Sequence, residues 1–99
     1  MQYNFEWDVG KAIQNIHKHK ISFERAATIF LDPNALSLFD EEHSYEEDRW
    51  ITLGIDCNGI LLVTSHTYRI IDVTTAHIRV ISARKATQKE QEQYRESSL

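Results

Sequence analysis

The side chains able to do chemistry in this chain fall into three runs. Between Lys11 and Arg25 stand four Lys or Arg residues with His17 and His19, against one acid, Glu24. From Arg79 to Lys89 there are four cations and no acid. Residues 40–48 carry six acids and no Lys or Arg. Histidine is the side chain whose ordinary pKa suits proton transfer near neutral pH. Arginine offers a planar fork that binds oxyanion oxygens in pairs. The acids crowd into one loop without the spacing of a metal-ligand set. The single Cys57 excludes both a Cys-based zinc cluster and an intramolecular disulfide. Gly-rich phosphate loops are absent too, so no metal and no cofactor is expected.

These runs need elements to position them. Phe5-Glu6-Trp7 reads as a short first strand. Asp8 reads as the N-cap of a helix from Val9 to His19, with Val9, Ile13 and Ile16 on one face. Ser22 caps a second helix, in which Phe23, Ala26, Ala27 and Phe30 make a core face that Asp32-Pro33 ends. The period then changes to two. Strands are expected over 35–39, 50–56, 60–68 and 77–82, with Asn58-Gly59 as a hairpin turn and 69–76 unassigned. Thr87-Gln88-Lys89-Glu90 is a capping box that opens a polar C-terminal helix, Gln88 to Ser97, whose large apolar groups are Tyr94 and Leu99. Trp7 and Trp50 read as core. The order β-α-α-β-β-β-β-α predicts an α+β fold: a small, mainly antiparallel sheet packed by two N-terminal helices.

The chain has 99 residues and a formal net charge of −4, enough for one domain over 1–99. That charge argues against strong non-specific nucleic-acid binding. It is unevenly spread, however: the 40–48 run holds −6, and the rest of the chain carries nine acids against eleven bases, or +2. Exposed charges further apart than about 10 Å are largely screened from one another, so a local cationic cleft remains compatible with the total. No signal peptide or membrane span is visible, and the cytoplasm is the expected location.

Some spacings resemble a known family. Phe5-Glu6-Trp7-Asp8, Asn15 with Lys18-His19, Ile21 and Phe23, and then Ala26 and Phe30, are similar to the start of the BrnT toxins. Arg49, Gly54 and Leu61-Leu62-Val63 fit the middle, and Ile78 to Thr87 with Glu90 and Tyr94 fit the end. The resemblance implies a RelE-like ribonuclease toxin of a bacterial type II toxin–antitoxin pair. It also implies a small DNA-binding antitoxin, BrnA, that sequesters the toxin and links it to DNA only indirectly. Two positions depart from the family pattern: Val9, often Pro there, and Lys20, often Gly. Both concern helix ends. If the cap at Lys20 is left-handed, its side chain costs about 1 kcal/mol.

RNA carries its own nucleophile, the 2′-hydroxyl. Cutting it requires a proton acceptor, cations for the phosphorane charge, and a proton for the leaving oxygen. On this reading His19 with Lys18 takes the acid–base and phosphate role, and Arg79 and Arg84 clamp phosphate. Arg49, Ser82, Lys85 and Tyr94 contact RNA, Tyr94 by stacking a base. Each has a plain alternative: helix-dipole partners for Lys18 and His19, ion pairs for the three arginines, a strand end for Ser82, an anchor for Tyr94. Asn15 and His17 read as surface or capping groups. His66 and Tyr68 read as half-buried or as the edge of a site. The competing function is a non-catalytic toxin-like binding module acting as an interaction partner or co-repressor. Direct DNA reading is the weakest option, since no helix has an exposed basic face.

Overall fold

The computed structural model describes residues 1–97. The chain runs β1 (Gln2–Glu6), α1 (Val9–His19), α2 (Phe23–Ala27) leading into a 3-10 turn (Thr28–Leu31), and β2 (Leu36–Phe39). A second 3-10 turn (Glu41–His43) precedes β3 (Arg49–Ile55), β4 (Leu61–Thr67), β5 (Arg69–Ile70), β6 (Thr75–Lys85) and α3 (Gln88–Ser97). The sheet order is β1-β6-β4-β3-β2, with β5 also paired to β6. The fold is α+β, as expected. The sheet is mixed, because β1 runs parallel to β6 while the other ladders are antiparallel. The unassigned stretch after Tyr68 is a tight hairpin: β5 places Arg69 opposite His77 and Ile70 opposite Ala76. Leu99, one of the two apolar groups expected on α3, lies outside the described residues.

Helix α1 starts where Asp8 accepts a hydrogen bond from the Lys11 N–H at 2.9 Å. It ends at Lys20, left-handed at φ 62°, whose N–H reaches the Ile16 carbonyl at 2.9 Å. A side chain in that region costs about 1–2 kcal/mol that glycine would avoid. The apolar stripe of α1 does not pack inward. Val9, Ile13 and Ile16 are exposed, while Ala12 and Asn15 face the body. The reason is Asn15, which is buried. Its Nδ2 donates to the Ile21 carbonyl at 2.9 Å and the Ala83 carbonyl at 2.8 Å, and its Oδ1 accepts from the Ala83 N–H at 3.1 Å. β1 pairs with β6 only as far as Arg79. Beyond that point the edge of β6 needs a partner, and the Asn15 amide supplies one in place of a strand.

Ser22 caps α2 by accepting from the Arg25 N–H. The switch to a 3-10 turn at Thr28 tightens the chain, so Ile29 is fully buried and Phe30 half-buried. The core is Ile21, Phe23, Ala26, Ile29, Leu62, Val80 and Ala83, ringed by Phe5, Trp7, Ala12 and Phe30. Trp50 is half-buried, edge-on to Phe39. Gly54 lies under α2's extension, where an added Cβ would sit 2.9 Å from Ile29 Cβ. The β3–β4 hairpin turns through Gly59 at φ 79°. Buried Asp56 ties it down, accepting from the Asn58 and Ile60 N–H groups and from Arg25 Nε and NH2 at 3.0 and 2.7 Å. Burial pushes the Asp56 carboxyl up, but these bonds outweigh it and hold it below the ordinary range.

The core residues Leu62, Val80 and Ala83 mark the helix-covered face of the sheet. Strand alternation would put Val80 and Ala83, three apart, on opposite faces. A bulge resolves this: Ser65 pairs with Ser82 but His66 with Val80, leaving Ile81 unopposed. Arg79, Ser82 and Arg84 consequently share the other face.

Candidate active site

Cross-strand register builds the site on the face opposite the core. One row across four strands reads Glu6, Arg79, Thr67 and Arg49, from β1, β6, β4 and β3. The Arg79 N–H itself donates to Thr67 Oγ1 at 3.2 Å. The adjacent row holds His77 with Arg69. A cleft of about 310 Å³ opens there, lined by Glu6, Glu47, Thr67, Arg69, His77 and Arg79, with Asp48 and Tyr68 at its edge.

The charges in it are paired. Arg79 NH2 donates to Glu47 Oε1, and Arg49 NH2 lies 3.8 Å from the same oxygen. Arg49 Nε is buried without a hydrogen-bond partner. Among the described residues Arg79 Nε and NH1 make no hydrogen bond, so three of its five donors are open. His77 Nε2 meets Glu6 Oε1 at 3.0 Å, and that bond holds the Glu6 carboxyl below its ordinary range. Glu47 was expected only as an ion-pair partner of Arg49, alongside Glu46, and Glu6, Arg69 and His77 had no assigned role in the sequence. Strand alternation around Arg79 was the one signal that could have found His77, two residues away on the same face.

The other expected residues sit elsewhere. Arg84 shares the face of Arg79, but its fork is occupied: NH1 and NH2 donate to Glu90 Oε1 and Oε2 at 2.8 and 2.9 Å. Glu90 Oε1 also accepts from the Thr87 N–H, closing the capping box of α3. Arg84 therefore holds α3. Tyr94 donates to Asp32 Oδ2 at 2.6 Å, and burial with that bond pushes its hydroxyl up to about 12. Burial pushes Asp32 up, but bonds from the Ile55 N–H, Tyr94 and the Asn34 N–H hold its carboxyl low. Tyr94 and Lys85 line a second cleft of about 450 Å³ against α3, with Ile55, Leu61 and Arg95. Ser82 pairs with Ser65 on the arginine face. Lys18 is exposed and His19 half-buried at the end of α1; neither lines the arginine cleft nor bonds to its residues. His66 is buried, its Nε2 at 2.6 Å from Thr52 Oγ1 and its Nδ1 at 2.8 Å from the Thr67 carbonyl; burial lowers its pKa. It is a structural histidine on the opposite face. Among the described residues no group of three or more His, Cys, Asp or Glu could hold a metal ion, and no helix is long and apolar enough to cross a membrane.

The Arg84–Glu90 bond has a pH signature. Arg84 first, and then the Thr87 N–H, hold the Glu90 carboxyl at about 2 against an ordinary 4.5. The unfolded chain binds that proton more readily, so the contribution is complete above pH 4.5 and fades as pH falls toward 2. Unfolding free energies from urea titrations of wild type and Glu90→Gln should differ by about 1 kcal/mol near pH 6, discounted for partial exposure, and converge near pH 2.5. A pH-independent gap would show that the ion pair contributes nothing.

The family model described as a ribonuclease toxin, BrnT, of type II toxin–antitoxin systems matches residues 7–90, which takes in α1, α2, strands β2 to β6 and the arginine face. The chain belongs to this family, BrnT. The crystal structure of the Brucella abortus ribonuclease toxin BrnT is similar to it at a TM-score of 0.62 and 22% identity, covering 89% of this chain and all of that one. At that identity the likeness speaks for the fold. No curated relative matches the chain. Membership of a type II toxin family implies an antitoxin partner.

Proposed function

We propose that this chain is an active, metal-independent endoribonuclease that cuts RNA by attack of the 2′-hydroxyl and so inhibits translation. The observation that carries the reading is Arg79: a guanidinium with open donors in a cleft, with Arg49 and Arg69 beside it. Fixed cations aimed at a phosphorane supply the largest share of such catalysis. Arg79 and Arg49 clamp the scissile phosphate, and Ser82 contacts the RNA further along the same face. Lys85 and Lys18 add positive charge at the periphery, Arg84 and Tyr94 keep α3 in place, and His19 has no part in the chemistry. A BrnA-like antitoxin covers the arginine face and connects the toxin to DNA, and the pair acts in the cytoplasm.

The second reading, a non-catalytic binding module, is favoured by one observation: the acids of the cleft already balance its arginines. Induced expression with and without the antitoxin, followed by an RNA digest of purified protein in EDTA, separates the two. Growth arrest and cleavage in EDTA are expected. Tight antitoxin binding without arrest or cleavage would establish the binding module instead.

A further inference from the structure

Glu47 belongs to the acidic run, 32 residues from Arg79 in sequence, yet its carboxylate reaches the centre of the arginine cleft. Resting on the ribonuclease function above, we propose that Glu47 is the general base that takes the 2′-hydroxyl proton and that His77 is the acid that protonates the leaving oxygen. Both arginine contacts fall on Oε1 of Glu47. Among the described residues Oε2 makes no hydrogen bond and is free to accept a proton. Glu47 occupies only NH2 of Arg79, so Nε and NH1 can take two phosphate oxygens while the carboxylate stays in place. A phosphate held there sits beside the base, where the 2′-hydroxyl of the same nucleotide must lie. His77 stands two residues from Arg79 on the same face, about 7 Å along the strand. Glu6 fixes its ring through Nε2, and among the described residues Nδ1 makes no hydrogen bond.

The step balances without a further reagent. The 2′-hydroxyl proton passes to Glu47 Oε2 as the 2′-oxygen bonds to phosphorus. The bond from phosphorus to the 5′-oxygen breaks with its electron pair on oxygen, which takes a proton from His77 Nδ1. The products are a 2′,3′-cyclic phosphate and a 5′-hydroxyl. The charged or titratable groups around Glu47 are Arg79 from β6, Arg49 from β3, and His43, Glu46 and Asp48 of its own loop. Those facing His77 are Glu6 from β1, Arg69 from β5 and Arg79.

The test uses the full chain, a short RNA and EDTA. Glu47→Gln should slow cleavage at least about 100-fold and remove the acid limb of the pH–rate profile. Glu47→Asp should keep that limb at a reduced rate. His77→Gln should flatten the alkaline limb, and Glu46→Gln, an exposed neighbour, should behave as wild type. Binding of the same RNA carrying 2′-O-methyl groups should stay within about threefold in Glu47→Gln, which separates chemistry from affinity. Wild-type cleavage with a Glu47→Gln that cuts equally well, or faster, overturns the base assignment alone. A slower Glu47→Gln with an unchanged profile, or one that loses RNA binding in proportion, makes Glu47 a positioning residue and overturns it as well. A wild type that binds RNA without cutting it removes both this assignment and the ribonuclease function.

Discussion

Arg79→Ala should lower the rate of RNA cleavage about 10²–10³-fold while the protein stays folded. The guanidinium is the centre of the cleft: it sits in register between Glu6 and Thr67 and meets Glu47 across the face. Removing it takes away charge that a phosphorane needs and leaves Glu47 facing Arg49 alone. Stability should change by less than about 1 kcal/mol, because the ion pair is partly exposed and each partner retains access to water. Circular dichroism and a urea titration check the fold; a digest in EDTA checks the rate. Arg84→Ala is the informative comparison. Its fork serves Glu90, so its loss should act mainly through α3. Cleavage that survives in Arg79→Ala would move the clamp elsewhere on the face.

Asn15→Ala should be the most damaging substitution to stability among the residues with no place in the cleft, costing about 3 kcal/mol. Three hydrogen bonds vanish at once, and the Ala83 N–H and carbonyl are left at a covered edge with no strand to replace them. Small domains have only about 5–15 kcal/mol in total, so the urea midpoint should fall steeply. Asn15→Asp should fail too: its carboxylate can accept from the Ala83 N–H but meets two carbonyl oxygens. An Asn15→Ala protein as stable as wild type would mean that the β6 edge finds another partner.

These two residues show where the sequence was informative. Asp8, Ser22, Asn58-Gly59 and the Thr87–Glu90 box are local devices, since each bonds within a few residues, and each marks an element boundary found in the fold. Asn15 is different. Its partners lie six and 68 residues away, and helix periodicity gave its place on the inner face to Val9, Ile13 and Ile16. Arg79 could be picked out by alternation, and Arg49 by its place at the start of a strand. The Arg49–Glu47 pair is local and was among the sequence expectations; that Arg79 joins it depends on the pairing of β3, β4 and β6, which no local pattern encodes. The same holds for Arg84 and Tyr94, both already committed to α3. The acidic run read as a charge that repels RNA; cross-strand geometry turns one of its members inward.

The unopposed Ile81 has a consequence of parity. Arg79 and Arg84 stand five apart, an odd number, and an even-period strand would send them to opposite sides. One extra residue restores agreement between them, so β6 works as two half-strands out of step with each other: the first presents the cleft, and the second holds the Asn15 clamp and the arginine that anchors α3. The spatial reading frame of the sheet therefore tolerates replacement of Ile81 far better than its deletion. Deletion would turn Arg84 into the core and Ala83 out of it without altering any other residue of the chain.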